Sequence, residues 1–159
     1  MKIYLAGSMS AGREYAKGLQ AINSVLIDMG HEILTPFVVD EELSKHRFPN
    51  LTGIEHARAI FEDDIKRIEE SDVIVAEVSQ PSIGVGLEIG YVVGLLRLQK
   101  TKKSILLLRH QSLEGTRNSK LVEGNPHAKF LHYNPEVVEG ILQDFFSEIQ
   151  EGKIRKERE

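Results

Sequence analysis

The chain has 159 residues, a formal net charge of −4, 41% hydrophobic and 28% charged residues, and no cysteine. These values fit one ordinary globular domain with a sizeable core. They exclude a disulfide framework, a thiol nucleophile and a cysteine-based metal site, and they give no basic footprint for a nucleic-acid polymer. No apolar run is long enough to span a membrane. MKIYLAGSMS enters a strand pattern without a signal peptide's apolar core, so a cytoplasmic protein is expected.

Lys2 to Ala6 reads as a short apolar strand ending at Gly7. A helix is predicted over about Gly12 to Met29, with Ala16, Leu19, Ile22, Leu26 and Met29 at helical spacing and Gly30 as its stop. His31 to Thr35 is a second strand, halted by Pro36. Residues 36–53 show no clear periodicity; connections that long are commonly lids or binding segments. Ile54 to Glu70 is helical, with Ile54, Ala57, Phe61, Ile65 and Ile68 as its buried stripe. Asp72 to Val78 is the third strand, and about Gly84 to Gln99 a very apolar helix. Ser104 to Arg109 and Lys129 to Tyr133 are further strands, separated by an irregular polar stretch over 110–127. A last helix starts at Pro135, with Val137, Val138, Ile141, Leu142, Phe145, Phe146 and Ile149 in one stripe. One domain is expected over 1–151, followed by a charged tail, 152–159.

Apolar strands alternating with helices indicate a parallel sheet covered on both faces. The expected fold is a five-stranded doubly wound α/β sheet, flavodoxin- or Rossmann-like, in the order 2-1-3-4-5. Ligands bind such sheets beyond the carboxyl ends of the strands, where the order reverses. Two Gly/Ser-rich loops, 7–12 and 79–86, flank that crevice.

Glu88 sits on the predicted helix with Val85, Val92 and Leu95 on its face and Leu87 and Ile89 beside it. An ionised group among apolar neighbours is costly unless it has a partner, and such groups cluster at functional sites. A capping box is disfavoured because Val85 stands three residues earlier; a helix-dipole role stays open. Asp64 lies at the edge of its helix's apolar stripe, whereas Glu62 and Asp63 point away. It is either drawn inward or a solvated helix acid. The loop Gly7, Ser8, Met9, Ser10, Ala11, Gly12 and Arg13 leads into a helix N-terminus and is compatible with phosphate. Gly7 to Gly12 nearly match a P-loop but continue Arg13-Glu14 rather than Lys-Ser/Thr, which argues against NTP hydrolysis. Gly84, Gly86 and Gly90 nearly form a dinucleotide fingerprint, but Glu88 would repel a pyrophosphate there. The six histidines show no metal spacing, and no serine sits in a G-x-S-x-G elbow. Neither metal nor cofactor is expected. Two carboxylates beside a phosphate-compatible loop suggest glycosidic chemistry.

Ile3–Ser8, Glu62–Ile65 and above all Asp72–Gly90 resemble the nucleoside 2-deoxyribosyltransferase superfamily, in particular its 2'-deoxynucleoside 5'-phosphate N-hydrolase branch. The likeness runs from residue 2 to about 146. It implies an N-glycosidase that releases the base of a deoxynucleoside monophosphate. Glu88 would be the nucleophile, forming a covalent sugar intermediate. Asp64 would assist the leaving base or orient the sugar, and Tyr4, at the end of the first strand, would sit beside the sugar. Gly7, Ser8, Arg13 and Ser82 would line the substrate and phosphate site together with the rest of the loop, Gly84 and Gly86. Asn118 and Ser119 lie in Asn-Ser-Lys-Leu, where the family donates a serine across a homodimer interface. The transferases carry Asp at the Ser82 position; serine can donate to a phosphate, whereas aspartate repels it.

The chain departs from the branch at Ser10, where an arginine is usual, at Phe37, where a histidine is usual, and over 44–53. A deoxyribosyltransferase that passes the sugar to another base, and a non-catalytic nucleotide-binding module, are the alternatives.

Overall fold

The computed structural model describes residues 1–8 and 15–153. Five strands, β1 (Lys2–Ala6), β2 (Glu32–Ile33), β3 (Val73–Glu77), β4 (Ser104–His110) and β5 (Lys129–Tyr133), form one sheet in the order β2-β1-β3-β4-β5. All its pairings are parallel. This is the expected topology, and it puts the reversal of strand order between β1 and β3.

Because side chains alternate across a strand, the sheet feeds two cores. Ile3, Leu5, Val73, Val75, Leu106 and Leu108 pack against α1 (Ala16–Asp28) and α6 (Val138–Gln150). Tyr4, Ala6, Ile74, Ala76, Ile105 and Leu107 pack against α3 (Gly53–Glu70) and α4 (Ile83–Arg97). Gly30, just past α1, has φ 79°, the left-handed turn that favours glycine there.

Several boundaries differ from expectation. β2 is two residues long because side-chain bonds replace its ladder. The Thr35 hydroxyl donates to the Leu5 carbonyl at 2.7 Å and accepts the Leu5 N–H at 3.0 Å. Residues 36–53 are not an open loop: they hold a 3₁₀ turn, Pro36–Val38, and α2 (Glu41–Lys45), capped by Asp40. A second 3₁₀ turn, Gln111–Leu113, and α5 (Lys120–Glu123) occupy the stretch expected to be irregular. α6 begins at Val138, since the Asn134 side chain accepts the Glu136 N–H and holds the chain in a turn. Val137 is consequently exposed.

The α3 stripe is only partly correct. Ile68 is buried, but Ile54 and Phe61 are exposed. The predicted start of α1 at Gly12 lies outside the described residues. Tyr4 lies in the middle of β1 opposite Ile74, not at its end.

Candidate active site

α4 begins at its N-cap, Ser82, whose hydroxyl accepts the Val85 N–H at 3.4 Å. Val85, Ile89 and Val92 fix the helix on the sheet. Glu88, one position from this seam, turns toward the floor formed by Tyr4 of β1. The Tyr4 hydroxyl hydrogen-bonds the Glu88 carboxylate. Burial pushes Glu88 up to about 7; the negative charge of Asp64 adds to the rise, while Tyr4 and Arg47 oppose it. Burial, followed by the charges of Glu88 and Asp64, raises the Tyr4 phenol, so it remains a donor. Leu87, expected beside Glu88 in the apolar layer, is exposed.

Asp64 of α3 is half-buried, the inward of the two placements the sequence left open. Burial raises its carboxyl, and a hydrogen bond from Arg47 works against the rise. Arg47 Nη2 donates to Asp64 Oδ1 at 2.6 Å and to Asp63 Oδ2 at 2.8 Å. Asp63 also accepts from Arg67 Nε at 2.8 Å. Burial opposes ionisation of Asp63, but the hydrogen bonds from Arg67 and Arg47 outweigh it and hold the carboxyl low. The expectation that Asp63 faces solvent was wrong, because two arginines draw it into the network. The Arg47 guanidinium also stacks 3.8 Å from the centre of the Phe37 ring.

A crevice of about 920 Å³ opens at this end of the sheet, lined among others by Ser8, Tyr15, Phe37, Arg47, Asp64 and Glu77. A neighbouring crevice of about 1030 Å³ is lined by Ser82, Gly86, Arg117, Asn118, Ser119 and others. Gln80 borders both. Asp64 reaches the first crevice and Val85 of α4 the second, whereas Tyr4 and Glu88 are not among the residues that line either one. Each volume is ample for a mononucleotide.

The structure thus brings Tyr4, Asp64 and Glu88 together, and separately gathers Ser82, Gly86, Asn118 and Ser119. Ser8 borders the first crevice. Gly7 has a packing reason, since a Cβ there would come within 2.7 Å of the Leu19 side chain. Gly84 and Gly86 are exposed. Met9, Ser10, Ala11, Gly12 and Arg13 lie outside the described residues. No metal-binding cluster of His, Asp and Glu occurs among the described residues.

Two features escaped the sequence reading. Arg47 lay in a stretch without periodicity. Glu77 looked like a strand residue, yet its buried carboxyl borders the first crevice and accepts from the Ser79 hydroxyl, the Ser79 N–H and the Tyr133 hydroxyl. Burial raises it, with those three donors opposing. An acid ending an apolar strand was the available signal.

The chain belongs to the nucleoside 2-deoxyribosyltransferase family, whose profile matches residues 3–120. It is 34% identical over 154 residues to a Tetraodon nigroviridis protein named 5-hydroxymethyl-dUMP N-hydrolase, covering 92% of this chain and 98% of the relative. The human protein of that name is 32% identical, over 96% and 83% of the two chains. Among solved structures, the 2-deoxyribosyltransferase of Bacillus psychrosaccharolyticus superposes with a TM-score of 0.62, at 19% identity and over 87% and 90% of the chains. Clostridium botulinum CMP N-glycosidase superposes at 0.55, also at 19% identity, over 90% and 99%. These two likenesses carry the fold.

Proposed function

We propose that the chain is an N-glycosidase that hydrolyses 2'-deoxynucleoside 5'-monophosphates to a free base and 2-deoxyribose 5-phosphate. The observation that carries this reading is Glu88, half-buried, bonded by Tyr4 and facing Asp64. The names of the relatives point to the same substrate class.

In the first half-reaction a Glu88 carboxylate oxygen attacks C1' of the sugar. The C1'–N bond breaks, and its electron pair goes to the base. Tyr4 holds the attacking carboxylate in line. Asp64, raised by burial, assists by giving the departing base a proton or hydrogen bond. Water then attacks C1', the C1'–O bond to Glu88 breaks, the carboxylate is regenerated and Asp64 recovers its proton from that water.

Charge orients the substrate. The first crevice carries the acids Asp40, Glu41, Glu42, Asp64 and Glu77 against two cations, Lys45 and Arg47, a poor setting for a phosphate dianion. The second offers the Ser82 hydroxyl, the α4 N-terminus and Arg117. The phosphate therefore belongs toward the second, and the base toward Phe37 and Arg47.

A homodimer completes the proposal. In the single chain Asn118 and Ser119 line the same crevice as Ser82; across an interface the same segment could serve the partner's phosphate site. Ile83 and Leu121 are 94% and 89% exposed. A Cβ at Gly86, Gly90 or Gly94 would meet nothing within 4 Å, so packing within the chain does not demand glycine there. No helix among the described residues is long and apolar enough to cross a membrane.

The test is product analysis after incubation with deoxynucleoside monophosphates, the matching nucleosides, and a nucleoside plus a free acceptor base. Free base and 2-deoxyribose 5-phosphate from the monophosphate support the proposal. A new nucleoside carrying the acceptor base would establish the transferase instead, and no turnover of any substrate would leave a binding module.

A further inference from the structure

Arg47 has more donors than the chain uses. A guanidinium presents five N–H groups and no acceptor. Two, on Nη2, go to Asp63 and Asp64. Nε is buried without an acceptor, and Nη1 has none among the described residues. An unpaired buried donor is uncommon and calls for an explanation.

The surroundings hold this group rigidly. The guanidinium carbon lies 3.8 Å from the centre of the Phe37 ring, two carboxylates hold Nη2, and the side chain is only 11% exposed. The Arg47 carbonyl is bonded to the His56 ring at 2.9 Å. Phe48, the next residue, has φ 54°, a conformation unusual for a bulky side chain and characteristic of functional turns. Other charged groups on this wall are engaged within α2. Asp40 caps it, and Lys45 pairs with Glu41 at 2.9 Å and Glu42 at 3.3 Å. Arg47 lines the first crevice, the side assigned above to the base, and because the buried Nε is out of a ligand's reach the donor it has to offer there is Nη1.

We propose that Arg47, stacked on Phe37 and pinned by Asp63 and Asp64, is the base-selecting residue: it donates to a ring oxo group and so favours oxo bases over amino bases. This rests on the N-glycosidase reading. The chemistry is that of a donor-only group. O6 of guanine or O4 of uracil accepts from it, whereas the amino group of adenine or cytosine at the same place sets donor against donor. Hydrogen bonding to the oxo group also stabilises negative charge growing on the departing base. No proton need leave the guanidinium.

The test compares kcat/KM for dUMP against dCMP and for dGMP against dAMP, in wild type, Arg47→Gln and Arg47→Lys. Wild type is expected to favour the oxo member of each pair by about 10–100-fold. Arg47→Gln, whose amide can turn to accept, should bring both ratios to within about 3-fold of unity. Arg47→Lys remains a donor and should retain the direction of preference. A purely structural Arg47 would lower both members of a pair together and leave the ratios unchanged. Equal wild-type rates within pairs, or a preference surviving in Arg47→Gln, would overturn the inference while leaving the hydrolase standing. Absence of base release from all four nucleotides in wild type would overturn the function and the inference with it.

Discussion

At the residue scale, the Glu88 environment makes two demands on pH. A nucleophile must be ionised, and burial pushes Glu88 up to about 7. The kcat/KM for a monophosphate should therefore carry one limb that rises with pH as Glu88 ionises about 7, and an opposing limb that falls as Asp64 loses the proton it gives to the base. Stability runs the other way. Folding raises this carboxyl from its ordinary 4.5, so the folded chain binds the proton more tightly than the unfolded one. The resulting stabilisation is fully present below about 4.5 and is lost as pH rises through about 7. Glu88→Gln removes the ionisation and should stabilise the chain at pH 8 by about 1–2 kcal/mol after allowance for solvent screening, with little effect at pH 4.5. Denaturant melts at the two pH values measure it; equal shifts at both would contradict the raised carboxyl. Asp64→Asn should slow base release by about 10²–10⁴-fold if it protonates the leaving group. An unchanged rate and pH profile would make it only the partner of Arg47.

At the element scale, much of the fold was legible. The parallel sheet covered on both faces could be read from continuous apolar runs alternating with helices, and α6 from Leu142, Phe145 and Phe146. What escaped was what tertiary contacts decide. A five-residue α2 is too short for a period to show, and Thr35 replaced strand with a side-chain bond. The exposed start of α3 followed the same apolar spacing as a buried one, so spacing could not reveal the lack of a cover. Glu88 and Asp64 were visible as acids in apolar settings; Arg47 was not, because its partners come from separate elements.

Gly18 shows the same limit. A Cβ on it would fall 2.0 Å from the Tyr133 hydroxyl, so glycine in α1 leaves room for Tyr133 to reach Glu77 at 3.2 Å. Gly18→Ala should cost about 1–3 kcal/mol by displacing that hydroxyl, despite alanine's better helix propensity. In a Tyr133→Phe background, where the hydroxyl is gone, the same substitution should cost less. Equal costs in both backgrounds by thermal or chemical unfolding would show that the clash is relieved elsewhere.

At the scale of the whole molecule, the exposed face of α4 makes assembly testable without disturbing the fold. Gly90→Arg places a side chain where the single chain has open space, so the variant should fold at least as stably as wild type. If that face joins two copies, sedimentation should find wild type dimeric and Gly90→Arg monomeric, with weakened use of monophosphates. A wild type that is monomeric and fully active at assay concentration would remove the shared-site arrangement and leave Ser119 acting within its own chain.

The central claim is that Glu88 performs the chemistry, and the rate of base release from a deoxynucleoside monophosphate by Glu88→Gln at pH 7.5 tests it most directly. Glutamine keeps the size of the side chain and can still face Tyr4, but it has no carboxylate to attack C1'. The account predicts a fall of at least about 10³-fold from wild type in a folded protein; turnover within about 10-fold of wild type would contradict it.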